Sequence, residues 1–593
     1  MRALPRRDRR RSPGVAVPAR STTTSRVVAV LAIAAWASSV AGCAIVPSSL
    51  LARVPERGPI VQGEQVDLTA ESQFIRVIAR GPQSGMSPVE VVRGFLDASA
   101  SFDGDHAVAR EYLTMQANED WDTSDGVAIY DGVPELTSSG QAVSLAASTT
   151  GRISPIGTFS VAEPGTSLSL GFWLTMVNGE WRISRLPQGL VLSSSDVDRA
   201  FRALNVYFFD PTFASLVPDG RMIPVIGTGQ PTTLLRYLID GPSPWLEPAV
   251  RTGLPPAVRL SPESVPVDAG VARVNLSPAS ALADDATRRA ISQQVTWLLR
   301  QVPGVSSVAI TADGQPMLVS GATYPEPIDG WPRVDPNALP IGSEAYAARG
   351  SSVIRVTRRG DRPLGVDVRT PGAGLVDLAV SLDSTKVAGL DAEGTLWRGS
   401  LSAGMELQQV ESVMATSVAF YRSSGLWAVQ DGAVVSVEDD GSVTPIAVDG
   451  LDEGAVVLSA VPSRDGARCA LIVQDGPATR LLLARIVRPN PQGPASLSSP
   501  IAVETRLTQV VTVAWGSSVD LEVLGTDGPG ELSAFTVDVV RGSVRRQGGP
   551  VAPIAIAAAP GEPTLVAAAD GMIYELRGIW QRRSAGTAPT YPN

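Results

Sequence analysis

The chain has 593 residues, with 49 Lys+Arg, 59 Asp+Glu and a formal charge of −10. Without residues 1–42, which carry eight arginines and one aspartate, the formal charge is −17. This acidic balance argues against a nucleic-acid-binding protein, which needs a basic surface, and against wide contact with anionic lipid.

The N-terminal stretch 1–42 has the pattern of a secretory signal peptide. Arginines precede an uncharged segment from Val27 to Val40, which is shorter than the roughly 20 apolar residues of a membrane-spanning helix. The segment ends in Val40-Ala41-Gly42-Cys43, which resembles the lipobox of bacterial lipoproteins. The alternative, a plain signal peptide with an incidental cysteine, is disfavoured because the chain has only two cysteines.

The lipobox resemblance implies cleavage before Cys43 and its conversion to an N-palmitoyl, S-diacylglycerol cysteine. Two acyl chains suffice for stable anchoring to a bilayer. We therefore expect a lipid-anchored protein at the extracytoplasmic face of the cell membrane.

Few residues are available for catalysis or metal binding. The only histidine is His106, and the only cysteine besides Cys43 is Cys469. Zinc sites need several such ligands, and a Ser-His-Asp triad would have to use His106. The local sequence predicts a partly exposed His106 at the start of a short surface helix and a buried, apolar environment for Cys469. We expect no catalytic residue, no metal and no cofactor.

Residues 43–70 are rich in proline, serine and glycine and predict a tether. A strand is predicted at Phe74–Ala79. A helix is predicted from Pro88, because Ser87 is a favourable N-cap and Glu90 completes a capping box.

The remainder of the first predicted domain, residues 71–198, has a β pattern. Phe172–Val177 and Trp181–Ile183 flank Asn178-Gly179, a strong signal for a two-residue hairpin. Helices followed by a curved antiparallel sheet resemble the NTF2-like fold, a cone whose open mouth binds ligands in some members. We expect a filled cone, because no placed polar groups mark a ligand site.

Residues 199–323 predict a second, α+β domain. Its elements are a strand at Asn205–Phe209, a helix ending at Asp240-Gly241-Pro242, a strand at Val271–Leu276 and a helix at Asp284–Val302. This order resembles the GerMN domain of germination proteins and envelope lipoproteins. The resemblance implies protein or envelope binding and no catalytic constellation.

Residues 324–348 are proline-rich and predict a linker, and residues 349–593 predict a β-propeller. Turn aspartates recur at spacings of 40, 44, 52 and 43 residues, the period of a propeller blade. They are Asp391, Asp431, Asp475, Asp527 and Asp570. Hairpin turns explain these aspartates better than calcium loops do. An additional strand at Val353–Val356 either completes the last of five blades or belongs to a sixth.

The order of lipobox, NTF2-like region, GerMN domain and propeller resembles one family, the LpqB lipoproteins of actinobacteria. A single lysine among 49 basic residues fits the GC-rich genomes of that group. The resemblance implies a non-catalytic accessory of the MtrA–MtrB two-component system. It would bind the extracellular domain of the sensor kinase MtrB and affect cell-wall homeostasis and division.

Two other functions remain open from the residues alone. An envelope scaffold or glycan-binding protein could stack sugars on Trp397, Trp427, Trp515 and Trp580, unless these side chains form the cores of the blades. A glycosidase using carboxylates alone would need two of them about 5–9 Å apart, a pairing that the sequence does not reveal.

Overall fold

The computed structural model describes residues 79–225, 229–357, 360–368, 374–402, 404–422, 425–488, 493–504 and 506–593. The predicted signal peptide, lipobox and tether lie outside these residues, as does the predicted strand at Phe74–Ala79 apart from Ala79, which has no regular structure. The described residues belong to one compact unit.

The first domain combines four helices with a curved six-stranded sheet of order β5-β4-β2-β1-β6, with β3 paired to β2. Its helices and strands are α1 (Pro88–Ser99), α2 (Ala107–Arg110), α3 (Met115–Asp120), β1 (Val127–Ser139), β2 (Ala142–Ile153), β3 (Phe159–Val161), β4 (Ser167–Val177), β5 (Glu180–Arg185), β6 (Leu190–Ser193) and α4 (Ser194–Ala200). The interior of the sheet is filled by a continuous apolar core that includes Phe95, Trp121, Leu145 and Phe172. The filled interior agrees with the expectation for this domain.

Local sequence signals position the first elements of this domain as predicted. The Ser87 side chain accepts from the backbone N–H of Glu90, and the Glu90 carboxylate accepts from the Ser87 N–H, so the capping box is complete. In the predicted hairpin, β4 pairs with β5 across Asn178 and Gly179, whose φ angles are 52° and 84°. Asparagine and glycine tolerate positive φ, which this turn requires at both positions.

The second domain combines a parallel pair, β10 and β11, with two packed helices and a two-stranded sheet formed by β7 and β8. Its elements are β7 (Phe201–Phe209), β8 (Leu216–Pro224), α5 (Gln230–Asp240), a 3-10 turn (Glu247–Ala249), β9 (Val267–Asp268), β10 (Val271–Leu276), a 3-10 turn (Pro278–Leu282), α6 (Asp285–Leu299), β11 (Ser307–Ala312) and β12 (Gln315–Pro316). The predicted strands and helices are present, and β8 (Leu216–Pro224) pairs with β7 along its whole length.

The predicted linker is a packed segment, which we call the strap (residues 324–344). Its strand β13 (Glu326–Pro327) pairs with β11, and Trp331, ahead of a 3-10 turn (Pro332–Val334), packs against the second domain. Asn337 Oδ1 accepts from Ser518 N of the propeller at 2.6 Å. Proline suits this segment because β13 is a short edge strand that needs few N–H donors.

The propeller has six blades within the described residues, which settles the number left open by the sequence. Blade 1 consists of β14 (Ala345–Arg349), β15 (Ser352–Thr357), β16 (Gly360–Val368) and the C-terminal strand β38 (Thr587–Thr590), and blade 2 consists of β17 (Leu375–Val380), β18 (Lys386–Asp391), β19 (Thr395–Ser400) and β20 (Glu406–Met414). Blade 3 consists of β21 (Ser417–Tyr421), β22 (Gly425–Gln430), β23 (Ala433–Val437) and β24 (Val443–Ile446), and blade 4 consists of β25 (Val448–Asp449), β26 (Val456–Pro462), β27 (Arg468–Asp475), β28 (Ala478–Val487) and β29 (Ser496–Ala502). Blade 5 consists of β30 (Gln509–Trp515), β31 (Asp520–Thr526), β32 (Ser533–Asp538) and β33 (Ser543–Gly548), and blade 6 consists of β34 (Pro553–Ala557), β35 (Leu565–Ala568), β36 (Met572–Arg577) and β37 (Ile579–Ala585). The strand predicted at Val353–Val356 is part of β15 in blade 1. It therefore belongs to a blade additional to the five that the turn aspartates mark.

Apolar cores between neighbouring blades close the ring. Separate clusters join blades 1–2, 2–3, 3–4, 4–5, 5–6 and 6–1. The closing strand β38 pairs with β14, its Ala588 packs toward blade 2, and the adjacent Tyr591 packs toward blade 6. The predicted fold class, two α+β domains followed by a propeller, is confirmed.

The five turn aspartates lie where β18, β22, β27, β31 and β35 lead into the next strand of their blades, at turns as predicted. Asp431 and Gly432 have φ angles of 50° and 76°, the geometry of a tight hairpin. Asp391 is buried and accepts from Trp397 Nε1 at 2.9 Å. The role of these aspartates is therefore to form the turns.

Among the described residues, no helix has both the length and the apolar character needed to cross a membrane.

Glu522 on β31 is a buried carboxylate within blade 5. Thr536 Oγ1 donates to its two oxygens at 3.0 and 3.2 Å, and burial raises the pKa of Glu522 to about 7. The fold therefore favours the neutral acid. The protonated Glu522 therefore contributes to the free energy of unfolding. That contribution is complete below the ordinary pKa of 4.5 and is lost as the pH rises through about 7.

We expect Glu522→Gln, which is neutral and has the same shape, to be more stable than the wild type at pH 8 by about 2–3 kcal/mol and equally stable at pH 4. Urea unfolding between pH 4 and 8 measures the difference. The exposed Glu531→Gln is the control and should show no such trend. A stability difference for Glu522→Gln that stays constant over this range would contradict the assignment.

Candidate functional site

The predicted lipidation site, Cys43 with Val40, Ala41 and Gly42, lies outside the described residues. The candidate residues within the described part of the chain are His106, Cys469 and the four tryptophans considered for glycan stacking.

His106 is buried, and the prediction of a partly exposed histidine is wrong. Its side chain packs between Phe102 and Trp121, and its Nδ1 lies 3.0 Å from Ser99 O. Burial lowers the pKa of His106, and the hydrogen bond to Ser99 opposes this shift. The predicted helix is also shorter, since α2 begins only at Ala107. His106 is part of the apolar core of the first domain, where it holds the end of α1.

Cys469 lies on β27 in the core between blades 3 and 4, as predicted. Burial raises the pKa of its thiol, which disfavours the reactive thiolate. The described residues contain no group of three or more His, Cys, Asp or Glu side chains arranged to hold a metal ion.

The tryptophans considered for glycan stacking are structural. Trp397, Trp427 and Trp515 are buried in cores between blades, and Trp515 Nε1 donates to Val461 O at 3.0 Å. Trp580 is half-buried and donates to the backbone of the neighbouring blade. None presents an open ring face comparable to a sugar-binding platform.

The three domains meet at strand β8 of the second domain. Arg221 Nη1 donates to Ile156 O of the first domain at 2.9 Å. On the same strand, Gly220 lies so close to the propeller that an added Cβ would be 2.4 Å from Val540. Only glycine fits this approach without displacing the neighbouring side chain.

A buried ion pair stabilises this junction. Arg221 Nη2 lies 2.6 Å from Asp219 Oδ2, and the two side chains are 1% and 6% exposed. The N–H and Oγ of Ser243 also donate to Asp219, at 2.7 and 3.0 Å. Burial raises the pKa of Asp219, while Arg221 and Ser243 oppose that rise. The junction thus consists of a carboxylate that depends on one guanidinium for its counter-charge.

Further contacts fix the second domain on one face of the propeller. Trp245 Nε1 donates to Ser499 O at 2.8 Å, and Arg485 Nη1 donates to Trp245 O at 2.5 Å. Arg422 Nη1 lies 3.0 Å from Asp210 Oδ2, with the two side chains 20% and 5% exposed. Arg422 lies in the turn after β21, and Arg485 and Ser499 lie on the two outer strands of blade 4 near the same end of the propeller. The second domain therefore covers that end.

The first domain approaches the propeller beside blade 5. Arg541 Nη2 and Asp198 Oδ1 form an ion pair at 2.6 Å. A cavity of about 350 Å³ lies between the two domains, with Phe159 and Val161 on one side and Arg506 on the other. Each of the three described domains therefore contacts the other two, and the domains are packed together.

The central channel of the propeller is closed at the end that faces the second domain. Arg464 projects into it and donates to Trp515 O at 3.0 Å and to Pro592 O at 3.1 Å. Burial lowers the pKa of Arg464 to about 10. Asn593 Nδ2 adds a bond to Pro462 O at 2.9 Å. The opposite end of the channel is the end that the second domain leaves uncovered.

Comparisons with known proteins agree with these domains. Family models match residues 81–198 (lipoprotein LpqB, N-terminal domain), 205–318 (sporulation and spore germination) and 366–592 (lipoprotein LpqB β-propeller domain). A relative described as lipoprotein LpqB from Thermobifida fusca is 29% identical, over 96% of this chain and 99% of its own length. Another of that description, from Mycolicibacterium smegmatis, is 29% identical over 82% of this chain and 86% of its own length.

Solved structures include weaker similarities to the propeller. TolB from Acinetobacter baumannii aligns with 53% of this chain and 86% of its own, at 10% identity and a TM-score of 0.34. The six blades are defined by their strand pairing.

A GerMN-type domain seated on a six-bladed propeller, with an N-terminal α+β domain beside both, defines a multidomain, strand-rich propeller protein. The relatives that match it over most of its length are lipoproteins. The chain belongs to the LpqB family of lipoproteins.

We expect Arg221→Met to lower the free energy of unfolding by about 3–5 kcal/mol, because it leaves Asp219 buried without its counter-charge. The double variant Arg221→Met/Asp219→Asn should recover most of this loss. Chemical denaturation of the single and double variants measures both effects.

The matched control is Arg582→Met, which removes an exposed ion pair with Asp570 and should leave the free energy of unfolding nearly unchanged. Equal losses in Arg221→Met and Arg582→Met would show that the junction does not depend on the buried pair.

Proposed function

We propose that this LpqB-family lipoprotein is a non-catalytic accessory of the MtrA–MtrB two-component system. It is anchored to the outer face of the cell membrane through Cys43 and binds the extracellular domain of the sensor kinase MtrB. Through that contact it influences cell-wall homeostasis and division.

The observation that carries the proposal is the arrangement of the three domains. Interfaces between all pairs of domains hold them together, and one end of the propeller is left uncovered as a broad surface. His106 and Cys469, two side chains that could have served catalysis, are both committed to apolar cores. This arrangement supports a role in binding.

A lipid anchor and a tether suit such a role. Residues 43–70 would confine the folded unit to a thin layer next to the membrane while leaving its orientation free. Confinement raises the effective concentration for a membrane-embedded partner. A modest affinity for the kinase would then suffice for binding.

We expect Cys43→Ala to abolish lipidation and release the chain from the membrane. Fractionation of cells expressing the wild type and the variant should move most of the protein from the membrane pellet to the soluble or secreted fraction. Ser48→Ala, a substitution in the predicted tether, is the control and should remain in the membrane fraction. Full retention of Cys43→Ala in the pellet would contradict lipid anchoring through this residue.

We expect the full-length lipidated chain, in detergent micelles, to bind the purified extracellular domain of MtrB. Deletion of its gene should also change the level of MtrA phosphorylation. Biolayer interferometry and phosphate-affinity gels measure the two effects. Absence of binding together with unchanged MtrA phosphorylation would overturn the proposal. Binding to peptidoglycan fragments alone would instead favour an envelope scaffold.

A further inference from the structure

The inner strands of four blades share a β-bulge at the uncovered end of the channel. One residue in each strand has no partner on the next strand: Val376 in β17, Leu458 in β26, Val511 in β30 and Ile554 in β34. Because the inner strands surround the channel, these equivalent positions lie around its opening. A bulge re-aims side chains locally and is a feature found next to functional sites.

The four bulge residues are apolar, and three of them are well exposed. The exposed fraction is 54% for Val376, 42% for Val511 and 47% for Ile554, while Leu458 is half-buried. Scattered exposed apolar side chains need no explanation, but repetition at one structural position in four blades produces a grouped surface. We call these four residues the rim.

The residue after the bulge is polar in three of these four blades. Asp377, Ser459 and Thr512 line the channel cavity together with Ser417 of blade 3. Ser417 Oγ and Ser459 Oγ lie 2.9 Å apart. We call these four residues the throat. The opening thus has an apolar rim around a polar throat.

Asp377 is the one carboxyl group of the throat. Burial raises the pKa of Asp377, and the backbone hydrogen bonds from Val418 and Leu378 oppose that rise. Its two oxygens accept from Leu378 N at 2.9 Å and from Val418 N at 3.1 Å. Each carboxylate oxygen can accept more than one hydrogen bond, so both retain capacity for a further donor. Among the described residues, no basic side chain forms an ion pair with Asp377, and Arg464 lies at the other end of the channel.

The loops around the rim are acidic. Their arginines pair locally: Arg480 with Asp475, Arg546 with Asp527 and Arg582 with Asp570. Further carboxylates at this end are exposed, and no ion pair is formed by them within the described part of the chain: Glu393, Asp431, Asp452, Glu453 and Glu531. The surface therefore complements a basic partner.

We propose that the rim and throat form the docking site for a polypeptide segment of the partner, in which a lysine or arginine is flanked by apolar residues. The basic side chain enters the throat and donates to Asp377, and the flanking residues pack on the rim. This inference rests on the proposed function, because it places the contact with the extracellular domain of MtrB at this end of the propeller.

The test compares full-length lipidated variants in detergent for binding to the purified MtrB extracellular domain. We expect Val511→Ser/Ile554→Ser to raise the Kd at least tenfold, because it removes apolar contact at the centre of the interface. Asp377→Asn should weaken binding and reduce its dependence on salt, because it removes the carboxyl group that a bound basic side chain would hold in its ionised form.

The control is Val133→Ser/Ile579→Ser, which makes the same exchanges at exposed positions in the first domain and on the outer strand of blade 6. Its Kd should equal that of the wild type. Thermal unfolding of each variant establishes that loss of binding is not loss of folding, since all four serine substitutions are on exposed side chains.

The outcomes separate this inference from the proposed function. Wild-type affinity in Val511→Ser/Ile554→Ser would overturn the docking site while leaving MtrB as the partner. Failure of the wild type to bind MtrB would overturn both. If sedimentation shows that the rim mediates self-association of the wild type, the occupant is a second copy, and the proposed basic segment is wrong.

Discussion

The arrangement of the domains depends on the buried ion pair between Arg221 and Asp219. Removing two charges from water is costly, and in a low-dielectric interior the mutual attraction offsets that cost only when the hydrogen bonds are well made. Here Ser243 provides them for Asp219, and the carbonyl of Ile156 accepts from one nitrogen of Arg221, whereas Arg221 Nε has no partner among the described residues. Because Arg221 spans two domains, its requirement for partners can be met in one relative orientation. We infer that the pair contributes to specificity of domain packing more than to net stability.

One fixed orientation has consequences for how the molecule presents itself. The second domain covers one end of the propeller, where Arg464 closes the channel, so the opposite end is the propeller face left for a partner. A tether that carries separate mobile domains would present many surfaces in many directions. A single body on the same tether presents one set of surfaces, which reduces the entropy lost when a partner binds.

Local sequence signals predict much of the fold. The features that the sequence does not reveal depend on contacts between residues far apart in the chain. The capping box at Ser87 and the Asn178-Gly179 hairpin are complete within a few residues, so the sequence alone reveals them. Blade 1 instead takes its inner strand from residues more than 230 positions after β14, and no local pattern reports that pairing. The burial of His106 is hidden in the sequence for the same reason, since Asp103-Gly104-Asp105 before it are typical of a surface turn, while Trp121, outside this local stretch, covers its ring.

The rim of the channel was beyond prediction because a bulge shifts the register by one residue. In a regular strand, alternation would assign Val511 and Thr512 to opposite faces, and a window of sequence around them looks like ordinary blade core. Only the pairing of β30 with β31 shows that Val511 has no partner and is exposed. Leaving apolar side chains in water forgoes burial worth about 1–2 kcal/mol for each residue. Three blades that share this cost at the same position are most simply explained by a partner that covers the rim.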